Sequence, residues 1–350
     1  MNWRFEGQSA SEPRRGCLVS LLSFAGAMAA VAVMVAAALA FLVWGPGPGK
    51  ATTVVLPIGS NVSEMAQSLS RAGVISSPDL FKLVARVNGK DRELKAGEYE
   101  FKGGVSLSEV IRKMAAGEVK RHFITIPEGF TSAMAMARLN GEPVLVGVVE
   151  TPPEGSILPD TYEVTRGETR MAVLQRMRAA RDAVLAELWA KRAPDLPFST
   201  PEEAVTLASI VEKETGLRKE QPLVAAIFVN RLKKGMRLEA DPTIIYAVSK
   251  GQPLGRGLKA SEMVLDSPYN TYLVAGLPPT PIANPGKLAI QSVLNPPKVD
   301  YLYFVANGTG GHAFAVTYED HQRNVERWRE IEAAKKAGKP LPPPLAAPKQ

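Results

Sequence analysis

Residues 200–216 read TPEEAVTLASIVEKETG, and both ends of a helix are marked within this stretch. Thr200 is a typical N-cap, Pro201 suits the first turn, and Glu203 completes a capping box. Gly216 indicates where the helix stops. The middle of the stretch is apolar, so one face of the helix is predicted to pack against a core, with carboxylates at the C-terminal end.

Two glutamates at that end, Glu212 and Glu214, are candidates for acid chemistry. At about 100° per residue they lie at opposite margins of the apolar face, so periodicity does not choose between them. The apolar neighbours and the helix macrodipole both disfavour negative charge and raise a carboxyl pKa, which suits a general acid near neutral pH. The alternative is that both are solvated residues at a fraying helix end, beside Lys213.

The composition restricts the class of partner. The chain has 350 residues, which leaves room for one large or two modest domains, and 45% of them are apolar. Its net charge of +7 indicates anionic surroundings such as membrane lipid, wall polymer or nucleic acid. Since no basic run has interleaved aromatic residues and no nucleic-acid motif is present, we expect no nucleic-acid partner.

An N-terminal stretch predicts a membrane anchor. Residues 17–44 carry no charge, and this run exceeds the ~20 residues that a transmembrane helix needs. Arginines precede it, so residues 1–16 are predicted to be cytoplasmic and the rest of the chain to lie outside the cytoplasm. The alternative is a cleavable signal peptide with possible cleavage sites in AAALA (36–40), but the apolar run is longer than a usual signal core.

Metal and cofactor chemistry are not expected. The single cysteine, Cys17, lies at the start of the apolar run, and the chain has only three histidines. No phosphate-binding loop, dinucleotide fingerprint or G-x-S-x-G elbow is present. His312, within the glycine-rich GTGGHAF, is predicted at the mouth of a cleft.

The remaining patterns predict an α+β protein. After a linker (45–51), residues 52–119 form a small unit with two strands and three helices, and residues 120–337 form a larger one. The patterns of the larger unit are a strand in HFITIPEG, a turn in SILPDTYEV, helices over 168–191, 221–232 and 319–337, and a hairpin formed by 301–305 and 312–316. The proline-rich tail, 338–350, is predicted to be disordered.

One loop has an unusual composition. YNTYLVAGLPPTPIANPG (269–286) contains two tyrosines, two asparagines and four prolines. Tyrosine faces and amide groups on a stiff backbone suit sugar rings, whereas the alternative is an ordinary connecting loop. The candidates it supplies are Tyr269, Asn270, Tyr272 and Asn284. Asp241, in DPTIIY, is a further candidate, with the alternative that it is the N-cap of a short helix near Thr243.

Four blocks carry a family resemblance, in the order ASIVEKET, FVNRLKKGMRLEADPTIIYAV, YNTYLVAGLPPTPIANPG and YLYFVANGTGGHAFAVTYEDH. Together with PEGSILPDTY (153–162), they resemble the YceG-like, or MltG, family of endolytic murein transglycosylases. The resemblance covers roughly residues 52–329 and the single N-terminal anchor. Residues 131–149 depart from the family pattern, which leaves the joint between the two units undefined.

The resemblance implies a periplasmic module on one inner-membrane anchor, with a LysM-like subdomain (52–119) before the catalytic domain (120–337). It implies cleavage of nascent peptidoglycan strands by a lyase without a cofactor, and peptidoglycan synthases of elongation or division as partners. Glu214 matches the family's catalytic acid, and Glu212 becomes a supporting acid. The candidate substrate-binding residues are Glu212, Asp241, Tyr269, Asn270, Tyr272, Asn284 and His312.

Two other functions are compatible with these residues. A muramidase-type hydrolase would use Glu214 with Asp241, since hydrolytic glycosidases pair two carboxyl groups. A non-catalytic scaffold would bind the wall through the LysM-like unit and would not need Glu214.

Overall fold

The computed structural model describes residues 14–343 and 345, with side chains from Ser23 onward. These residues form two compact units, and the division falls after Arg121, with Thr165–Gly167 grouped with the first unit. It lies two residues from the boundary expected between 119 and 120. Of the segment predicted to be cytoplasmic, 1–16, only the last three residues lie within the described part.

The first unit combines an apolar helix with two strands and three short helices. Its elements are α1 (Arg14–Trp44), β1 (Thr52–Leu56), α2 (Val62–Arg71), α3 (Pro78–Val87), β2 (Gly97–Phe101) and α4 (Leu107–Ala116). Within α1, Ser23–Trp44 has a mean hydropathy of 2.5 and is long and apolar enough to cross a membrane. The two predicted strands pair antiparallel, with Thr52 opposite Phe101.

Helix caps fix the first unit much as the sequence predicts. Ser77 Oγ accepts a hydrogen bond from Leu80 N at 3.2 Å and begins α3. Ser106 Oγ accepts from Glu109 N at 3.3 Å, but the Glu109 carboxylate pairs with Arg112 at 2.7 Å. Only half of the predicted capping box is therefore formed.

The elements from residue 121 onward are mostly helical. They are β3 (Arg121–Thr125), α5 (Ser132–Asn140), β4 (Thr161–Thr165), α6 (Arg170–Ala190), α7 (Pro201–Glu214), α8 (Gln221–Lys233), α9 (Asp241–Ser249), α10 (Ala260–Met263), α11 (Lys287–Leu294), β5 (Tyr303–Ala306), β6 (His312–Ala315) and α12 (Tyr318–Lys336). Strand β3 pairs with β4, and β5 pairs antiparallel with β6 as the predicted hairpin. The chain is thus a mixed α+β protein.

Helix α7 lies at the centre of the larger unit. Its capping box is complete, because Glu203 N donates to Thr200 Oγ1 at 3.2 Å and Thr200 N donates to the Glu203 carboxylate at 2.9 Å. Residues 204–211 are all buried, and the helix packs against α6, α8, α9 and α11. Burying each large aliphatic side chain contributes about 1.5–3 kcal/mol to the free energy of folding. Because four helices pack against α7, its position in the unit is fixed.

Two segments contain elements that the sequence did not predict, and the tail contains none. Residues 131–149 contain α5, which Thr131 caps through a hydrogen bond from Met134 N at 3.3 Å. TYEVT (161–165) forms β4, although only a local turn was predicted there. Residues 338–343 and 345 of the tail contain no helix or strand, and 344 and 346–350 lie outside the described residues.

Candidate active site

Glu214 is the last residue of α7; the residue is half-buried, and one of its carboxyl oxygens is enclosed. Thr215 follows in an extended conformation (φ −130°, ψ 130°), which ends the helix one residue before Gly216. Glu214 Oε2 is buried and has no hydrogen-bond partner among the described residues. Burial is the main cause that raises its pKa to about 8; the charge of Asp241 raises the pKa further and that of Arg231 lowers it. At neutral pH the carboxyl group is protonated, as a general acid must be.

Asp241 faces solvent near Glu214, and it is not an N-cap. The cap position of α9 belongs to Ala240, and Asp241 is the first helical residue, followed by Pro242. Its carboxylate is held by another group instead, because Tyr272 Oη donates to Asp241 Oδ1 at 2.7 Å. Burial and this bond raise the pKa of the Tyr272 phenol, so Tyr272 keeps its proton and continues to donate.

Glu212 makes contacts that Glu214 does not. Gly286 N donates to Glu212 Oε2 at 2.9 Å, and Gln221 Nε2 donates to Oε1 at 3.2 Å. Burial raises the pKa of Glu212, and the bond from Gly286 opposes that shift. Glu212 thus joins α7 to the start of α11. Helical periodicity leaves Glu212 and Glu214 equivalent, and these hydrogen-bond partners distinguish them.

The proline-rich loop is bonded to α7 and folded on itself. Ile282 N donates to Ser209 Oγ at 3.0 Å, so a buried serine within α7 holds the loop. Tyr269 is half-buried, and its hydroxyl lies 2.7 Å from Thr280 Oγ1. Asn270, predicted to contact substrate, is fully buried and donates to the carbonyls of Met263 and Leu265 at 3.1 and 2.9 Å. Its amide therefore shapes the turn.

Asn284 is also turned away from any ligand, because its side chain has no exposed surface. Its Nδ2 donates to Phe130 O at 3.0 Å and to Ser132 Oγ at 3.1 Å, and its Oδ1 accepts from Ile157 N at 3.3 Å. The prediction that it binds sugar does not fit this burial. The side chain instead connects the end of the proline-rich loop to two segments more than 120 residues earlier.

His312 contacts Glu220, and Glu220 in turn lies next to Thr215, the residue that follows Glu214. The buried Glu220 carboxylate accepts from His312 N at 3.1 Å, and its Oε2 lies 2.8 Å from His312 Nδ1. Thr215 Oγ1 lies 3.5 Å from the same carboxylate and accepts from Leu217 N at 3.1 Å. Glu220 therefore ties the residue after Glu214 to the glycine-rich hairpin.

Sequence reasoning missed Arg231, a buried residue of α8. Its guanidinium donates to Leu302 O at 2.7 Å and to Leu238 O at 2.8 Å, and it lies 3.2 Å from the Glu239 carboxylate. The run FVNRLKK places this arginine directly after buried residues, which is the only local signal of its position. Glu220 and Glu154, a half-buried acid that accepts from Ser132 N at 2.8 Å, were missed as well.

Metal binding finds no ready site in the described ranges. Among residues 14–343 and 345, no three histidine, cysteine, aspartate or glutamate side chains are grouped to hold an ion. Among the described side chains, Glu214, Asp241 and Tyr272 bring a protonated carboxyl group, a carboxylate and a phenol close together.

Comparisons with known proteins point to one family. A model of the YceG-like family matches residues 54–327. A Streptococcus pneumoniae serotype 2 (strain D39 / NCTC 7466) protein named endolytic murein transglycosylase is 32% identical over 326 residues, covering 79% of this chain and 58% of that protein. A protein of the same name from Bacillus subtilis (strain 168) is 28% identical over 305 residues, covering 78% of this chain and 83% of that protein.

A solved structure agrees with these matches. The crystal structure of a putative yceG-like protein from Listeria monocytogenes has a TM-score of 0.50 and 28% identity, and the match covers 78% of this chain and 98% of that one. This chain spans 58% of the length of the streptococcal relative. The fold and the site define a class of protein: an α+β protein whose central helix ends in an enclosed, protonated glutamate. The chain belongs to the YceG-like family.

Proposed function

We propose that this protein is a lytic transglycosylase that cleaves the bond between N-acetylmuramic acid and N-acetylglucosamine within nascent peptidoglycan strands, leaves 1,6-anhydro ends and so stops strand elongation. The observation that carries the proposal is the protonated Glu214, with a pKa of about 8, at the end of a buried helix. The names of the streptococcal and bacillary relatives support the substrate class.

One carboxyl group is sufficient for this reaction. Glu214 donates its proton to the glycosidic oxygen as the bond to the muramyl C1 breaks. The resulting carboxylate accepts the proton of the muramyl C6 hydroxyl, whose oxygen bonds to C1, so that Glu214 ends protonated and no water is consumed. Positive charge develops at C1 during this step, and the Asp241 carboxylate, oriented by Tyr272, is the nearby group that would stabilise it.

The remaining features support a position at the membrane. Helix α1 would anchor the chain in the inner membrane with its N-terminus in the cytoplasm, and the catalytic unit would face nascent strands in the periplasm. Residues 52–119 would act as a LysM-like subdomain, and peptidoglycan synthases are the partners that such a location suggests. The positive net charge suits an anionic surface.

A muramidase-type hydrolase is the second candidate, and one observation favours it. Asp241 is exposed, and its charge acts on Glu214, so a second carboxylate near the acid is accessible to water. Hydrolytic glycosidases use such a carboxylate as base or nucleophile. In that reaction water, and not the C6 hydroxyl, would bond to C1.

Product analysis distinguishes these functions. The full-length chain in detergent would be incubated with uncrosslinked glycan strands, beside its Asp241→Asn variant, and the products measured by mass spectrometry. We expect anhydro-muramyl ends from the wild type, and from Asp241→Asn the same ends at a rate lowered about 10- to 100-fold, because charge stabilisation at C1 is lost. Reducing muramyl ends would establish the hydrolase, and absence of cleavage by folded protein would favour the wall-binding scaffold.

Glu220 is expected to position Glu214 without contacting substrate. Replacing Glu220 with glutamine removes the charge that holds His312 Nδ1 and frees the turn after Thr215, so kcat should fall roughly tenfold while KM changes less than twofold. Steady-state cleavage kinetics would measure this split, with the exposed Glu326→Gln as the matched control. An increase in KM with unchanged kcat would assign Glu220 to substrate binding instead.

A further inference from the structure

A second group of aromatic and charged side chains lies at the C-terminal end of α9. The Tyr–Lys cluster consists of Tyr246, Lys250 and Tyr269. The two tyrosine ring centroids lie 5.0 Å apart with planes inclined by 50°, and Lys250 Nζ lies 5.6 Å from each centroid. Tyr246 is buried, whereas Lys250 is exposed. The cluster is thus a rigid aromatic base with a cation at its surface.

The backbone at Lys250 is placed in a conformation that glycine adopts more readily. Lys250 has φ 53° and ψ 37°, and its N–H donates to Tyr246 O at 2.8 Å to close the helix. A left-handed conformation costs a non-glycine residue about 1–2 kcal/mol. Gly251 follows at φ 79°, where a Cβ would lie 2.4 Å from Thr131 Cγ2. The tight turn fixes where the lysine side chain begins.

The Lys250 ammonium has no anionic partner in the described part of the chain. No carboxylate of residues 14–343 or 345 forms an ion pair with it within 4.0 Å. Glu154 acts electrostatically on Tyr246, but its Oε2 already accepts from Ser132 N at 2.8 Å. An exposed cation over aromatic rings gains only about 0.5–1 kcal/mol, so the ammonium remains available to an external anion.

The cluster and Asp241, whose charge acts on Glu214, lie at opposite ends of helix α9. Helix α9 has Asp241 at its first position and Lys250 just past its last, and nine residues at 1.5 Å each separate them by roughly 13 Å. The turn at 269–272 contacts both ends, because Tyr272 bonds Asp241 and Tyr269 packs on Tyr246. A ligand at Lys250 would therefore be a part of the substrate distant from the cleaved bond.

We propose that Lys250 binds a carboxylate of the peptide attached to a muramyl residue of the same strand, with Tyr246 and Tyr269 holding the ammonium in place. This inference rests on the proposed function. N-acetylglucosamine is uncharged, and the lactyl carboxyl group of each muramyl residue is used in the amide bond to its peptide, so the free carboxylates of the intact strand lie on its peptides. A lipid diphosphate at a strand end is the other anion that nascent substrate could present, and lipid-free strands exclude it.

Binding of lipid-free strands would test the proposal separately from catalysis. Full-length Glu214→Gln protein in detergent would be titrated with fluorescent uncrosslinked strands that carry peptides, and with the same strands after enzymatic removal of the peptides and amidation of the lactyl carboxylates that this removal exposes. Lys250→Ala, Lys250→Arg and the exposed Lys298→Ala would be added to that background. We expect Lys250→Ala to raise Kd about 3- to 10-fold for peptide-bearing strands only, with less effect at high salt, and the other two variants to change Kd less than twofold.

Three results would overturn the proposal: equal weakening for both kinds of strand, no weakening for either, or no binding of peptide-bearing strands. Cleavage by the chain with its native Glu214, measured on peptide-free strands, reports on the proposed function by itself. If the chain with its native Glu214 cleaved no strands, but Lys250→Ala still weakened binding of peptide-bearing strands alone, the lyase would be rejected and the carboxylate site retained.

Discussion

Replacing Glu214 with glutamine is expected to lower kcat for strand cleavage about 10³-fold, because an amide cannot supply the proton that the Glu214 carboxyl group gives to the glycosidic oxygen. Glutamine keeps the size and the hydrogen-bonding oxygen of the side chain, so binding of the strand should change little. Initial rates on uncrosslinked strands, measured with Kd for the same strands, separate the two effects.

The matched control is Glu212→Gln, which alters a carboxyl group two residues away. Glu212 is bonded to Gly286 and Gln221, so this change should lower kcat by less than tenfold, through the loop that Glu212 holds. Equal losses from the two variants would contradict the assignment of the acid to Glu214. Wild-type activity should also decline as pH rises through about 8, where Glu214 loses its proton.

The same pKa has a consequence for stability. Between the ordinary value of 4.5 and about 8, the unfolded chain has lost the Glu214 proton while the folded chain retains it. Unfolding therefore releases a proton, and the free energy of unfolding falls as pH rises across this interval. Glutamine removes this dependence, so the Tm of Glu214→Gln relative to wild type should increase from pH 5 to pH 8. A constant Tm difference would mean that the raised pKa is absent.

Replacing Asn284 with alanine is expected to lower the free energy of unfolding by about 3 kcal/mol. The change leaves Ile157 N, Phe130 O and Ser132 Oγ without their side-chain partner, and each is part of a well-packed region. Denaturant unfolding of the full-length chain in detergent, followed by tryptophan fluorescence, would measure the loss.

Exposed Asn295→Ala is the control, and its free energy of unfolding should stay within about 0.5 kcal/mol of the wild type. A residue that only contacts sugar would, when replaced, change KM and leave the free energy of unfolding unchanged. If Asn284→Ala raised KM at unchanged stability, the sugar-binding role would be restored and the structural one rejected.

The helices with clear caps were predictable, and so was the acid-bearing end of α7. Thr200, Pro201 and Glu203 mark the start of α7 in the sequence itself, and the structure confirms the complete capping box. Periodicity could not choose between Glu212 and Glu214, because their difference lies in partners from α8 and α11 that are distant in sequence. The family resemblance, not the helical pattern, selected Glu214.

The roles of the polar candidates depend on burial and on bonding partners, which the local sequence does not give. Asn270 and Asn284 have the composition of a sugar-binding loop, but both side chains satisfy buried backbone groups. For Asp241 the alternative role of N-cap is excluded, because Ala240 holds that position and Tyr272, 31 residues later, donates a hydrogen bond to the Asp241 carboxylate. Local sequence records which groups are polar, whereas burial decides whether they serve a ligand or the fold.

The burial of α7 fixes the position of Glu214, whereas the exposed side of the site, at Asp241, tolerates substitution. The acid is carried by a helix that is buried over eight successive residues, so moving Glu214 would disturb the packing of four other helices. Asp241 is exposed, and substitutions on that side cost little stability. Under the proposed function, the leaving group is protonated from the interior, while the charge at C1 is stabilised by an exposed carboxylate. Substitutions at Asp241 would therefore change the rate of cleavage without altering the core.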